Sequence, residues 1–327
     1  MATREELEAL VEEDPTDDSA FEILGDLLQL EGDPRGELIG LDAAYLRGGD
    51  RRLWAQRRAE VLDQYLELQP RTGSNIHYRW HLGFVRRVSL GTSVNYLAIF
   101  GHPSLRFVTE LVFLDPSEGG EFRTFFIEAC RATPLLRSLA IGDPDEKHHH
   151  WTQEREVFQL SGLVELARIE QLFACIAVEI GFAPRLRWLR LEGDPDAVRR
   201  LRGAKLPSLE TLSIRDDIYG LENLRWLVES PPRSLVDLEL VGANGNELIP
   251  ALVGSRLLAQ LRSLRLWNAE ISVETARLIT RDAFGHLDLL DLSDPLLDDA
   301  AIAQVSGVCR EVRTISPWMR AILQRPG

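Results

Sequence analysis

Three adjacent histidines, His148-His149-His150, are the side chains best suited to metal chemistry in this chain of 327 residues. Imidazole nitrogens ligate zinc and copper. A closed zinc site needs ligands that converge from separate points of the backbone. Adjacent residues of a helix or strand diverge instead, and neither a cysteine pair nor H-E-x-x-H lies nearby. The preceding Asp143-Pro144-Asp145-Glu146-Lys147 reads as an exposed loop. No metal site is expected. The acid pairs Asp216-Asp217 and Asp298-Asp299 point apart and suit caps and turns. No serine stands in G-x-S-x-G, and Cys130, Cys175 and Cys309 carry no local signature of a nucleophile. Neither catalytic residues nor a cofactor are expected.

The chemistry of recognition is better represented. Trp188, Arg190, Arg215, Asp237, Glu239, Arg265, Trp267 and Asp291 stand at corresponding places of a repeated pattern. Tryptophan and arginine are the residue types that dominate interface hot spots. What must position them is the pattern itself. Leu261-Arg262-Ser263-Leu264-Arg265-Leu266 reads L-x-x-L-x-L, with clear copies beginning at Leu136, Leu186, Leu209, Leu235 and Leu287. Looser copies begin at Val85, Val108 and Val312, and a doubtful one at Leu163, where Arg168 takes the last apolar slot. The mean step is about 25 residues, a spacing typical of short strand–helix units.

The last two apolar residues of each copy lie two apart and share one face of a strand. A single strand cannot bury that face alone, but stacked parallel strands form a continuous apolar wall. The residues between them face the other way. Those slots hold Trp188, Arg190 and Glu192; Thr211, Ser213 and Arg215; Asp237, Glu239 and Val241; Ser263, Arg265 and Trp267; Leu289, Asp291 and Ser293; and Trp318 after the last strand. Trp188 and Trp267 are three strands apart, which puts their backbones roughly 14 Å from one another. Helices are expected between strands, at Asn223–Val228, Ala276–Ile279 and Ala300–Val305.

Over residues 80 to 327 the chain resembles the leucine-rich repeat family, in its helix-bearing, ribonuclease-inhibitor-like class. The resemblance implies an α/β solenoid with parallel strands on the concave face and helices on the convex face. The chain departs from the family's asparagine position, where Gly193-Asp194, Asp216-Asp217 and Asn268 stand, so irregular strand-to-helix turns are expected. A doubly wound dinucleotide-binding sheet is the competing architecture, but no G-x-G-x-x-G or P-loop follows any strand.

Residues 1–69 read as a small all-α domain. Thr3-x-x-Glu6 and Ser19-x-x-Glu22 are capping-box patterns, and Asp33-Pro34 is an N-cap followed by proline at the first helical position. Leu7, Leu10, Val11, Phe21, Leu24, Leu27, Leu28, Leu38, Ile39, Leu41 and Leu46 form apolar faces, and a further helix runs from about Asp50 to Leu68. The stretch from about 5 to 46, most specifically Glu31-Gly32-Asp33-Pro34-Arg35-Gly36-Glu37-Leu38-Ile39, resembles the repeat-companion domain of the myxobacterial and planctomycete type. It departs where Leu27 stands in place of that family's tryptophan. The resemblance implies a bacterial protein and brings no activity with it. Residues 70–84 read as a linker and N-terminal cap rich in aromatics, and 85–327 as about ten repeats.

The net charge is −14, of which residues 1–33 supply −11 through twelve acids and one base, Arg4. Nucleic-acid binding needs a basic face and is disfavoured. No apolar run spans a membrane, and Met1–Glu6 lacks a signal-peptide core. Three widely spaced cysteines fit reduced thiols in a cytoplasmic protein. The expected function is a non-catalytic scaffold or adaptor that binds a protein partner on the concave face. One alternative is the substrate-recognition subunit of an effector whose catalytic part is a separate chain. Another is an anion or nucleic-acid module using Arg190, Arg215 and Arg265, which the interleaved Asp237, Glu239 and Asp291 oppose.

Overall fold

The structure is a computed structural model and describes residues 2–65, 76–91, 97–114, 120–144, 157–194, 196–215, 221–293, 297 and 299–314. The chain divides into two compact units, Met1–Asp143 and Pro144–Gly327.

The first unit opens with four helices: α1 Arg4–Glu13, α2 Asp18–Leu30, α3 Pro34–Leu46 and α4 Arg51–Tyr65. Thr3 and Glu6 cap each other's backbone at the start of α1, as the sequence predicts. At α2 the cap moves from Ser19 to Asp17, whose carboxylate accepts the Ser19 N–H at 2.9 Å. A carboxylate two residues upstream reaches the first free N–H, so the helix starts one residue before Ser19. Asp33 caps α3, with Pro34 at its first position.

Next come strands β1 Ile76–His81 and β2 Phe84–Leu90, an antiparallel hairpin. Residues read as linker and cap are therefore a paired strand from Ile76 onward. Both residues of the turn have positive φ, Leu82 at 45° and Gly83 at 73°, the conformation of a tight hairpin. Leu82 is buried there among the helices. Strand β3 Glu110–Phe113, helix α5 Gly120–Ala132 and strand β4 Ser138–Ile141 follow, and β2, β3 and β4 pair parallel. One core joins Leu7, Val11, Phe21, Leu24, Leu28 and Ile39 of the helices to Leu82, Phe84 and Phe107. The helices therefore share their core with the hairpin. They close the open apolar end of the first strands.

Charge supports that closure. Arg106, just before β3, bonds Glu8 and Glu12 of α1, the latter at 2.8 Å. Arg4 also reaches Glu8 at 2.9 Å. Asp33 accepts from the Arg35 Nε at 2.8 Å. Burial pushes the Asp33 carboxyl up, but the Arg35 side chain and backbone N–H outweigh it and hold the group below its usual value. A depressed folded pKa contributes stability that is complete above the unfolded value near 3.9 and is lost as pH falls through the folded value. Asp33→Asn is therefore expected to be less stable than wild type at pH 6, with the two converging as pH falls through the depressed folded value. Urea midpoints measured from pH 6 to pH 2 check this. A gap that stays constant over that range would exclude the Asp33–Arg35 contribution.

The second unit contains β5 Phe158–Gln159, β6 Gln171–Ala174, β7 Val178–Glu179, β8 Trp188–Glu192, α6 Ala197–Arg200, β9 Thr211–Arg215 and α7 Leu221–Glu229. It continues with β10 Asp237–Val241, α8 Gly245–Leu252, α9 Arg256–Gln260, β11 Ser263–Trp267, α10 Val273–Ala276, α11 Arg281–Phe284, β12 Leu289–Asp291, α12 Asp299–Val305 and β13 Glu311–Arg313. Strands β6, β8, β9, β10, β11, β12 and β13 pair parallel in that order, while β5 and β7 form a separate pair. The fold is a mixed α/β arrangement built from repeated strand–helix units.

Register follows the leucines. Leu189, Leu212, Leu238, Leu264 and Leu290 align across successive strands, and each is 0% exposed. Strand entry repeats too. The Glu170, Arg187, Glu210, Val236 and Arg262 carbonyls each accept two consecutive N–H groups from the next repeat. Left-handed residues follow several strands: Gly142, Gly193, Gly242 and Asn268, with φ between 52° and 105°. This is the conformation glycine and asparagine tolerate best, and it replaces a regular asparagine ladder.

Two frames differ from the sequence reading. Leu163–Arg168 is not a strand; Val164–Arg168 is a 3-10 turn, and the strand is Gln171–Ala174 with Ile169 in the leading slot. Alanine in the last slot, at Ala174, disguised that copy. At the other end Val312 pairs with Leu290, so it holds the second apolar slot and Cys309 the first. Cys309 accordingly lies outside a helix. Its half-buried thiol donates to the Glu311 carbonyl at 3.2 Å, and burial raises its pKa.

Candidate functional site

The candidate site is the sheet face that the inter-leucine residues share in the second unit. Register sorts these residues into rows. Gln171, Trp188, Thr211, Asp237, Ser263, Leu289 and Glu311 make one row. Phe173, Arg190, Ser213, Glu239, Arg265, Asp291 and Arg313 make the next. Glu192, Arg215, Val241 and Trp267 make a third. All eight sequence-predicted residues belong to these rows. Trp188 and Trp267 are three strands apart but in different rows, four residues along the strand. The added offset of about 13 Å makes their backbone separation nearer 19 Å than 14 Å.

A connected set of contacts crosses five strands. The Arg190 guanidinium lies 5.2 Å from the Phe173 ring centroid, and its Nε donates to Glu192 at 2.7 Å. Arg215 lies between two carboxylates, at 3.8 Å from Glu192 and 2.6 Å from Glu239. Glu239 also accepts from the Ser213 hydroxyl at 2.9 Å. The Arg215 guanidinium then covers the Trp267 ring at 5.3 Å. These groups are half-buried, so the pairs are less screened than fully exposed ones. They hold one another in place across the face.

Three predicted residues stand apart from that set. Among the described residues, no hydrogen bond or ion pair engages the side chains of Asp237 and Arg265, and no ring contact engages Trp188. All three are half-buried. Asp291 differs from the sequence reading. It is 1% exposed, and its carboxylate folds back to accept the Ser293 N–H at 3.1 Å and the Ser293 hydroxyl. The strand ends at Asp291, and the turning chain supplies those donors. Asp291 is therefore a structural cap, absent from the accessible face. Trp267 is partly covered by Arg215, and among the described residues its buried indole Nε1 has no acceptor.

Phe173 and Arg313 escaped the sequence reading because their two repeats were set in the wrong frame. The signal was present as Ile169-x-x-Leu172-x-Ala174 and Cys309-x-x-Val312. Trp318 and His148-His149-His150 lie outside the described residues, as do Asp216, Asp217 and Asp298. Among the described residues no group of three His, Cys, Asp or Glu side chains is placed to hold a metal ion. No helix among them is long and apolar enough to cross a membrane.

The chain is similar in fold to a solved structure. A structural-genomics crystal structure of a protein from Bacteroides fragilis is 21% identical, over 67% of this chain and 68% of that one, with a TM-score of 0.55. At this identity the likeness carries the repeat-like α/β fold alone. No protein-family model matches the chain, and no curated protein matches it.

Chemically, the face offers aromatic surface, fixed donors and acceptors, and one unpaired charge of each sign.

Proposed function

We propose that this chain is a leucine-rich repeat scaffold of the helix-bearing class, with a repeat-companion segment at its N-terminus, that recognises a protein partner on the concave strand face. The observation that carries the reading is that Trp188, Asp237 and Arg265 share the strand face, Trp188 and Asp237 in one row and Arg265 in the next, without partners among the described residues, beside a charge network already satisfied from within. A preorganised surface loses less conformational entropy on binding. Aromatic and arginine anchors concentrate binding energy. One free acid and one free base would select a partner with complementary charges rather than a polyanion. The scaffold is non-catalytic and acts by holding its partner.

The test is affinity purification of the tagged full chain from its native cells, beside Trp188→Ala/Arg265→Ala. A stoichiometric partner that the wild type holds and the double variant loses is the expected result. Both positions are half-buried face residues, so melting temperatures of the two proteins should stay within a few degrees. A partner retained undiminished by a folded variant would remove the strand face from the reading.

A further inference from the structure

We propose a second recognition site, on the edge where the chain returns into the strands: a groove for a short acidic peptide that carries an apolar or aromatic residue. It goes beyond the strand-face reading and shares no residue with it. The groove is built by three consecutive repeats. Phe182, Lys205 and Pro231 each stand four residues before the leading leucine of their repeat, Leu186, Leu209 and Leu235. Equivalent positions stack, and Phe182 and Lys205 form a parallel backbone bridge. The Lys205 N–H donates to Gly181 at 2.8 Å, and the Ala183 N–H donates to Lys205 at 3.1 Å. Hydroxyls tie the neighbouring repeats together beside it, Ser208 donating to the Pro184 carbonyl at 2.6 Å and Ser234 to that of Pro207 at 2.9 Å. The result is an open cavity of about 650 Å³ on a rigid edge.

Its lining is unlike the rest of this acidic chain. Phe182 is 57% exposed, a large apolar side chain left in water. Trp226 lies across the same cavity, its ring fixed by an Nε1–H bond to the Val198 carbonyl at 3.0 Å. Around these rings stand Arg202, Lys205 and Arg233, all exposed. Among the described residues no hydrogen bond or ion pair engages any of their side chains. Glu229 is the acid in the lining. Three unpaired cations around an exposed ring complement a ligand with carboxylates flanking an apolar side chain. The cavity is of a size to take one or two side chains. A nucleic acid would need a long basic track for its phosphates. Here three cations line one short groove beside Glu229, which favours a short acidic segment.

Fluorescence anisotropy with the labelled peptide Glu-Glu-Phe-Glu-Glu tests the site on the full chain. The expected result is saturable binding that weakens at least about tenfold with Phe182→Ser and with Lys205→Glu. Trp188→Ala/Arg265→Ala should bind the peptide as wild type does, which separates this site from the strand face. Both groove positions are exposed, and circular dichroism melts confirm that the variants fold. No binding at millimolar peptide, or equal binding by wild type and both groove variants, overturns the proposal. Tighter binding of a labelled pentathymidylate to the same groove overturns it in favour of a nucleic acid.

Discussion

Phe21→Ala is expected to destabilise the first unit by about 3–5 kcal/mol, the range for truncating a buried phenylalanine. Phe21 is 0% exposed. Its ring lies 5.9 Å from Phe84, 5.7 Å from Phe107 and 6.0 Å from His81, and the Arg86 guanidinium covers it at 5.5 Å. These neighbours come from the hairpin and from the turn before β3, whereas Phe21 belongs to α2. No single element can shift to refill the cavity, so the cost should fall at the upper end. The shared core also says where the loss appears. If the helices folded on their own, amide exchange would rise in α1 to α3 and leave β2 unchanged. With Phe21 packed on Phe84, the β2 amides from Arg86 to Leu90 should lose protection in step with the helices. Hydrogen exchange of the variant decides between the two. Protection kept in β2 while the helices open would restore the helical bundle as an independent domain.

Sequence and structure part at particular residues. The strands that begin from Leu186, Leu209, Leu235, Leu261 and Leu287 were legible because two apolar residues at spacing two force one face inward. Wherever that signal stayed intact, the outward rows came with it, including Trp188, Asp237 and Arg265. The frame slipped at Ala174, where a small residue fills an apolar slot, and at Cys309, where a thiol does the work of leucine. Caps were legible where side chain and helix agree, as at Thr3 and Asp33. At α2 two suitable residues compete, and Asp17 wins by reaching the first free N–H. The hairpin at Leu82-Gly83 was not legible, because a leucine at positive φ is disfavoured locally and is held there by burial among the helices. The charge network was out of reach for another reason. Pairing Arg215 with Glu239 requires knowing that β9 and β10 are neighbours in register, which spacing along one strand does not state. Asp291 shows the converse. Its slot points outward by pattern, yet the end of the strand turns donors onto it and buries it.

Leu264→Ala should cost about 2–5 kcal/mol through the cavity it leaves, while Arg265→Ala, its immediate neighbour, should cost little. Leu264 is 0% exposed and lies between Leu238 and Leu290 in the stacked row. In a stacked array each repeat is stabilised by its neighbours, so a cavity at β11 weakens its packing against β10 and against β12 together. Arg265 points to the opposite face and engages no partner among the described residues, so its removal breaks nothing. Trp267→Ala should fall between them. It loses the cover of Arg215, a cation–π contact worth about 0.5–2 kcal/mol, and it frees a guanidinium that Glu192 and Glu239 still hold. The order Leu264, then Trp267, then Arg265 is a statement about which way each side chain faces. Chemical denaturation of the three variants reads it directly. An Arg265→Ala variant as unstable as Leu264→Ala would place Arg265 in packing contacts and close the face to any partner. The predicted order, with Arg265 near neutral, places the stability of the wall in its inner row and leaves Arg265 uncommitted to it.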